Sequence, residues 1–437
     1  MALGGGTFLT MNKALPGSYI NVISQAKADA SLSDRGVVAM ALELDWGPDG
    51  EIFEITSGDF IKNSLKLLGY DYTADNLKGI RDLFAGGAKT LYTYRLNSGE
   101  KAKSDISEAA YSGERGNTIW HSVEVNADDE TLFDVATYWD SKLMDTQTVA
   151  EAAELTDVAG VVTFNKKATL SENTKLLLSG GTNGTADGAA HQDFLDKIEA
   201  YSYNAIGAYT MTETIKQLYV AFNKRLRDEV GAKAQCVVYN YAADYEGVVN
   251  VKNKVTDDSF SEAALVFWVL GAIGGCAVNA SNTNKKYNGA FTVNAGYTQT
   301  ELEKAVKAGE FILHKVGDDI RVLRDINSLV TTTTEKGSIF CDNKVVRVAD
   351  QIANDTATLF NTKYLGVFPN NQDGRVSLWN DLVKLHEELQ RLGALQEFDG
   401  DLITVDEGDD KNDVVVTDGP LNVVGTMEKL YMTVILV

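Results

Sequence analysis

The sequence predicts a multidomain protein of mixed α+β and α/β class, and three observations carry that expectation. At 437 residues the chain exceeds what one hydrophobic core organises, so two to four domains are expected. From Leu96 to about Ser179 it consists of short alternating runs separated by turn residues at roughly ten-residue spacing, the patterning of a small β-sandwich. Past the break Ser179-Gly180-Gly181-Thr182-Asn183-Gly184, helical and strand patterns alternate, which is α/β ordering. Hydrophobic residues at 44% and charged residues at 23% are ordinary for a globular chain and exclude disorder, and four prolines exclude long Pro-rich linkers.

Taken in order, the first twenty or so residues, through Pro16-Gly17-Ser18-Tyr19-Ile20-Asn21-Val22, read as an extended arm. Three early glycines and the Pro-Gly pair oppose helix, and Tyr19–Val22 favours strand. Val37–Leu44 reads as an apolar strand, followed by the turn Trp46-Gly47-Pro48-Asp49-Gly50. Ser57-Gly58-Asp59-Phe60 opens a helix with Leu65 and Leu68 on one face. Leu77–Phe84 reads as a second helix ended by Gly86-Gly87, and Thr90–Arg95 as a strand.

The sandwich runs are Thr118–Ser122, Val123–Val125, Phe133–Thr137, Val161–Phe164 and Thr174–Leu178. Beyond them come a helix over Ala190–Tyr201, a strand at Ala205–Tyr209 and a long helix over Thr212–Val230 carrying Ile215, Leu218, Phe222 and Leu226. A strand at Val237–Tyr239 and a buried helix from Ser261 follow. Thr300–Ala308 reads as a helix, and Phe311–Val316 with Ile320–Leu323 as a hairpin across Gly317-Asp318-Asp319. Val345–Phe360 and Ser377–Leu392 are helices, the second with a stripe of Leu378, Leu382, Leu385, Leu389 and Leu392 and a cap at Gly393. An acidic strand-and-turn region over Phe398–Thr417 leads to Lys429-Leu-Tyr-Met-Thr-Val-Ile-Leu-Val437. As a strand those nine residues span roughly 30 Å. Leu430, Met432, Val434 and Leu436 would face one side, and Tyr431, Thr433, Ile435 and Val437 the other. With both faces largely apolar, the strand is expected to be buried in a sheet, its own or a neighbour's.

Several function classes are disfavoured. The formal charge of −22 opposes nucleic-acid binding and attachment to anionic membrane surfaces. Ala263–Val278 is sixteen residues without a polar side chain, short of the ~20 that span a bilayer, and reads as a buried core helix whose glycines pack tightly on a sheet. The N-terminus has no basic segment followed by an apolar one, so no signal peptide is expected. Cys236, Cys276 and Cys341 lack metal-ligand spacing and read as free buried thiols. His121, His191, His314 and His386 are scattered, none within ligand spacing of another His or Cys, and read as polar or surface residues. The glycine loop Gly180–Gly188 lacks the Gly-Lys-Ser/Thr ending of a phosphate loop and the GxGxxG spacing of a dinucleotide loop, so it reads as a flexible domain junction. No GxSxG elbow occurs. The eight carboxylates from Glu397 to Asp413 do not follow calcium-loop spacing and read as a solvated acidic turn. The leucine stripe covers about two heptads, too few for an independent coiled coil.

Several segments together resemble the contractile tail sheath proteins of phages and phage-tail-like bacteriocins. Leu15-Pro-Gly-Ser-Tyr-Ile-Asn-Val is similar to the family's opening, and Asp34-Arg-Gly-Val-Val-Ala to Trp46-Gly-Pro-Asp-Gly to its next strand and turn. Ala110-Tyr-Ser-Gly-Glu-Arg-Gly-Asn-Thr-Ile resembles the opening of its β-sandwich, and Leu178-Ser-Gly-Gly-Thr-Asn-Gly the junction that follows. Gly274-Gly-Cys-Ala-Val-Asn-Ala-Ser-Asn-Thr, Val322-Leu-Arg-Asp-Ile-Asn-Ser-Leu, Gly393-Ala-Leu and Met427-Glu-Lys-Leu-Tyr-Met-Thr-Val continue the likeness in the right order. The size and both ends look most like the Gram-positive defective-prophage and bacteriocin branch.

The resemblance implies an α/β core assembled from N- and C-terminal segments, an inserted β-sandwich, a subtilisin-like α/β domain without a catalytic set, and extended arms. In numbers, these are an arm over 1–22, core over 23–95, sandwich over 96–179, subtilisin-like domain over 180–335, C-terminal sheath domain over 336–428 and linking strand over 429–437. It implies no enzyme activity and no cofactor. Partners would be copies of the chain in stacked hexameric rings, an inner tail tube protein, and baseplate and tail terminator proteins, with no nucleic acid and no membrane insertion. Subunits would be made and assembled in the bacterial cytoplasm and end in a virion tail or a released phage-tail-like particle. Interface residues would be Tyr19, Ile20 and Val22 in one arm and Leu430, Tyr431, Met432, Val434, Ile435 and Leu436 in the other. Two other readings stand beside this one: an α/β hydrolase-like enzyme using the middle domain, and a surface adhesin or binding module using the sandwich.

Overall fold

The computed structural model describes residues 32–436, so the expected arm with Tyr19, Ile20 and Val22, and the last residue Val437, lie outside the described residues. The first strand, β1 (Val37–Leu42), is apolar at every position and buried on both faces, as an interior strand of a parallel sheet must be. β2 (Ile52–Thr56) follows, and the Thr56 hydroxyl accepts from the Asp59 amide (3.0 Å) to cap α1 (Ser57–Leu68). Gly69, at φ +80°, ends that helix. α2 (Lys78–Gly86) and β3 (Thr90–Arg95) complete the N-terminal segment.

The sandwich comprises β4 (Lys101–Lys103), β5 (Ser107–Ser112), β6 (Ile119–Val125), β7 (Phe133–Trp139), β8 (Lys142–Val149), β9 (Val162–Phe164) and β10 (Asn173–Leu177). They form a three-stranded sheet, β4-β5-β9, and a four-stranded sheet, β10-β6-β7-β8. Trp46 joins it to the core: fully buried, it meets Trp139 and Tyr111 edge-on, with ring centroids 4.7 and 5.4 Å away. The glycine loop is not a flexible junction. Gly181 accepts from the Asn117 side chain (2.9 Å), Thr182 donates to the Glu100 carbonyl (3.1 Å) and the Asn183 carbonyl accepts from Asn97 (3.0 Å). Two of its glycines serve close approach: a Cβ on Gly181 would lie 2.4 Å from the Gly113 carbonyl oxygen, and one on Gly184 2.1 Å from that of Ser98.

His121 lies in the sandwich core, fully buried between the Ser107 hydroxyl (2.6 Å) and the Thr137 hydroxyl (3.1 Å), and not on the surface. Burial depresses its pKa from the usual 6.5 to about 4. The unfolded chain therefore takes up a proton below pH 6.5 that the folded chain refuses until about pH 4. The stability this imidazole carries is present above pH 6.5 and lost as pH falls to 4, on the order of 3 kcal/mol. Denaturant unfolding at pH 7 and pH 4.5 should show His121→Gln losing markedly less stability than the wild type over that interval. Equal losses in both proteins would refute the assignment.

The central segment carries α3 (Gly188–Ile198), β11 (Ala205–Ala208), α4 (Glu213–Arg225), β12 (Gln235–Tyr239), β13 (Val248–Val251), α5 (Leu265–Gly275) and α6 (Gln299–Lys307). β14 (Glu310–Phe311) and the hairpin β15 (Leu313–Val316) and β16 (Asp319–Val322) close it. One seven-stranded sheet, in the order β14-β13-β12-β11-β1-β3-β2, unites this segment with the N-terminal one, parallel throughout except for edge strand β2. Its strands come from 37–95 and 205–311, because the parallel edge of β1 is completed by β11 through Val38–Ala205 pairing. The C-terminal segment adds no strand to the sheet among the described residues.

The sheet is covered on both faces. Val38, Met40 and Leu42 point toward α2 and α5, and Ala39 and Ala41 toward α3 and α4, following the period of two along β1. α5 is buried at ten of its eleven positions. Only Gly274 packs on the sheet, against Val38, while Gly271 and Gly275 lie against the backbone of α2. No helix among the described residues is long and apolar enough to cross a membrane.

The C-terminal segment contains α7 (Asn343–Leu359), α8 (Gln372–Arg391), β17 (Leu395–Gln396), β18 (Ile403–Glu407), β19 (Val414–Asp418) and β20 (Asn422–Val423). α8 starts five residues before the expected Ser377, because Asn371 caps it by accepting from the Gly374 amide (2.9 Å). Its Leu378, Leu382, Leu385 and Leu389 are buried within the chain's own fold. His386 is buried too, held between the Leu382 carbonyl (2.8 Å) and Asp418 (2.9 Å). Two buried ion pairs tie α7 to the central segment: Asp350 with Arg227, bidentate at 2.7 and 2.8 Å, and Arg347 with Asp325 at 3.2 Å. Cys236 and Cys276 are buried free thiols, whereas Cys341 is half-buried.

Candidate assembly surface

Among the described residues, the largest run of exposed apolar side chains is the last segment. The Val424 amide bonds to the Ala394 carbonyl (3.0 Å), beside the short β17–β20 pairing. Beyond it, no described residue joins a ladder. Leu430, Tyr431, Met432, Val434, Ile435 and Leu436 are 66–91% exposed, and Met427 is fully exposed. The expected alternation therefore separates no buried face from a wet one within the subunit, and the segment finds no partner in the chain's own described sheets.

That exposure is costly in water. Fully burying one side chain of the Leu, Ile or Met class stabilises by about 1.5–3 kcal/mol, so six such groups represent on the order of 10 kcal/mol gross. Ordering the backbone of those residues costs about 1–2 kcal/mol each. Side-chain burial alone about balances that ordering, and ladder hydrogen bonds must supply the surplus.

The root of the segment is held by residues that spacing in the sequence did not reveal. Glu428 accepts from the Thr283 hydroxyl (3.1 Å) and from Arg324 Nε (2.8 Å). Thr283 lies 145 positions away along the chain and Arg324 lies 104, so only the fold brings the three together. The nearby Asp342 carboxyl is shifted upward, chiefly by burial, with the Glu428 charge contributing.

Catalytic geometry is poor where its parts do meet. Ser107 and His121 are at hydrogen-bonding distance, as in an activated nucleophile, but both are sealed in the sandwich core. The other imidazole nitrogen meets a threonine hydroxyl in place of a carboxylate. His386 has its carboxylate partner, Asp418, yet the nearest group on its second nitrogen is a backbone carbonyl. Among the described residues no three His, Cys, Asp or Glu side chains are grouped so as to hold a metal ion.

Comparison with known proteins bears on the whole chain. The tail sheath protein Gp18 domain III N-terminal region matches residues 35–96, and the phage tail sheath protein β-sandwich domain matches 97–183. The phage tail sheath protein central domain matches 184–328, and the phage tail sheath C-terminal domain matches 335–436. The phage-like element PBSX protein XkdK of Bacillus subtilis (strain 168) is 33% identical, covering 99% of each chain. The crystal structure of a sheath tail protein from Desulfitobacterium hafniense superposes with a TM-score of 0.78 at 36% identity, over 90% of this chain and 93% of that one. The helical sheath of the anti-feeding prophage in its contracted state shares the fold, with a TM-score of 0.56 at 14% identity over 97% and 99% of the two chains. A mixed α/β body with an inserted sandwich, matched by sheath domains in succession from residue 35 to residue 436, identifies the chain as a member of the phage tail sheath family, a structural subunit of a contractile tail sheath.

Proposed function

We propose that the chain polymerises with copies of itself as stacked hexameric rings around an inner tail tube, and that contraction of this sheath drives the tube through a target cell envelope. The carrying observation is the row of exposed apolar side chains over Leu430–Leu436, which lacks a partner in the described subunit. Strand addition to a second copy's sheet supplies one, using main-chain hydrogen bonds for affinity and alternate side chains for fit. In this reading residues 1–22 and 429–437 are the links, with Tyr19, Ile20 and Val22 the counterpart in the N-terminal arm. Residues 23–95, 96–179, 180–335 and 336–428 are the bodies they join. Baseplate and tail terminator proteins cap the two ends, and the subunits assemble in the bacterial cytoplasm before serving in a virion tail or a released particle.

Contraction exchanges the contacts between rigid bodies while the links persist, a rigid-body switch between two packings. Negative-stain electron microscopy of the purified chain tests the reading. Long hollow tubes are expected, and dispersed single subunits at every concentration tried would overturn it.

A further inference from the structure

The C-terminal segment changes character at one residue. Glu428 is held by two partners, whereas none of Lys429–Leu436 makes a hydrogen bond or ion pair with another described residue. The residue Glu428 is exposed as a whole, like those after it, but its side chain is only 18% exposed because its carboxylate is engaged.

What holds Glu428 is itself hydrogen-bonded into the fold. The Thr283 hydroxyl accepts from Ser281 Oγ (3.1 Å) and the Asp325 amide (3.0 Å), which leaves its proton for Glu428. Asp325 accepts from Asn343 (2.9 Å), the Asn282 amide (2.9 Å) and the fully buried Arg347. Asn343 in turn accepts from Gln235 on β12 (2.8 Å), so the network runs from the main sheet through α7 to the root of the segment. Arg324, the residue before Asp325, closes the clasp with a charge-assisted bond.

We propose that Glu428 is the fixed pivot of the C-terminal segment, and that the Thr283–Glu428–Arg324 clasp aims residues 429–436 off the body toward the sheet of a second copy of this chain. This rests on the linking role proposed above and adds a constraint to it. Nine residues of strand reach about 30 Å, so the receiving strand lies within that distance of Glu428. A segment leaving the body from one fixed point also loses less freedom on docking than one that swings from Val424, and so docks at lower concentration.

Critical concentrations for polymerisation, measured by pelleting on full-length chains, test the pivot. Glu428→Ala is expected to raise the critical concentration about 10-fold, the loss of roughly one charge-assisted bond, with an unchanged melting curve. The double variant Glu428→Arg with Arg324→Glu re-forms the ion pair with reversed sign and is expected to return to within about 3-fold of wild type. Wild-type polymerisation by Glu428→Ala would overturn the pivot, as would failure of the reversed pair to rescue. A melting curve lowered in Glu428→Ala would do the same, by assigning the clasp to the stability of the body. A chain ending at Glu428 separates the two ideas. If it polymerises like the full chain, the linking role fails. If it does not, while Glu428→Ala behaves as wild type, only the pivot fails.

Discussion

A chain ending at Glu428 is expected to fold and melt like the full-length protein and to form no tubes. The segment removed carries six apolar or aromatic side chains that are 66–91% exposed, and it joins no ladder of the described subunit. Its deletion takes away almost no buried surface, which places the change in subunit stability within about 0.5 kcal/mol. Assembly loses far more, since each link forgoes on the order of 10 kcal/mol of gross side-chain burial together with its ladder hydrogen bonds. Thermal melting and sedimentation of the truncated chain are the measurements. Loss of folding on truncation would make the segment part of its own subunit's core, and tubes from the truncated chain would remove it from assembly.

Replacing Gly271 with alanine is expected to destabilise the fold by about 3 kcal/mol or more, although alanine is the better helix former. The helix-propensity gain from Gly to Ala is about 1 kcal/mol. Against it stands a clash with backbone: a Cβ on Gly271 would lie 1.9 Å from the Leu83 carbonyl oxygen of α2. Gly86 and Gly275 carry the same contact in both directions, at 2.3 Å from the Trp268 carbonyl and 2.0 Å from the Gly87 carbonyl. No side chain can turn aside to relieve it. α2 and α5 must separate, and α5 is buried along nearly its whole length between α2 and the sheet. Gly337→Ala serves as the control, because Gly337 has an ordinary φ of −73° and nothing within 4 Å of an added Cβ. Denaturant midpoints should leave Gly337→Ala at wild type and bring Gly271→Ala far below it. Similar midpoints for the two variants would show that the helix contact is looser than its geometry.

These glycines also mark how far sequence reasoning reached. A sixteen-residue apolar run too short for a bilayer was legible as a buried helix, and the glycines in it as sites of close packing. Their partner was not legible. Gly271 and Gly275 face a helix nearly two hundred positions earlier, and only Gly274 meets the sheet. The β-sandwich could be read because its core strands alternate, as Ile119, His121 and Val123 do on β6. β8 was missed because its strand is half wet and mostly polar, so its alternation is faint. His121 looked like a scattered polar residue, since nothing local announces that Ser107 and Thr137 will satisfy it in a dry core.

The sequence alone determined most of the helices and the strongly alternating strands, because helix and strand periods, caps and turn residues act over a few positions. It also carried the family likeness, and it marked the last segment as a strand too apolar to be left in water. Tertiary structure decided what those elements meet. The pairing of β1 with β11 brings together residues some 170 positions apart, and the Glu428 clasp joins residues more than 100 apart. Such contacts follow from how the whole chain closes on itself, and no local pattern encodes them. The segment after Glu428 shows the division most clearly: its composition requires burial, and the fold supplies its anchor and no partner among the described residues.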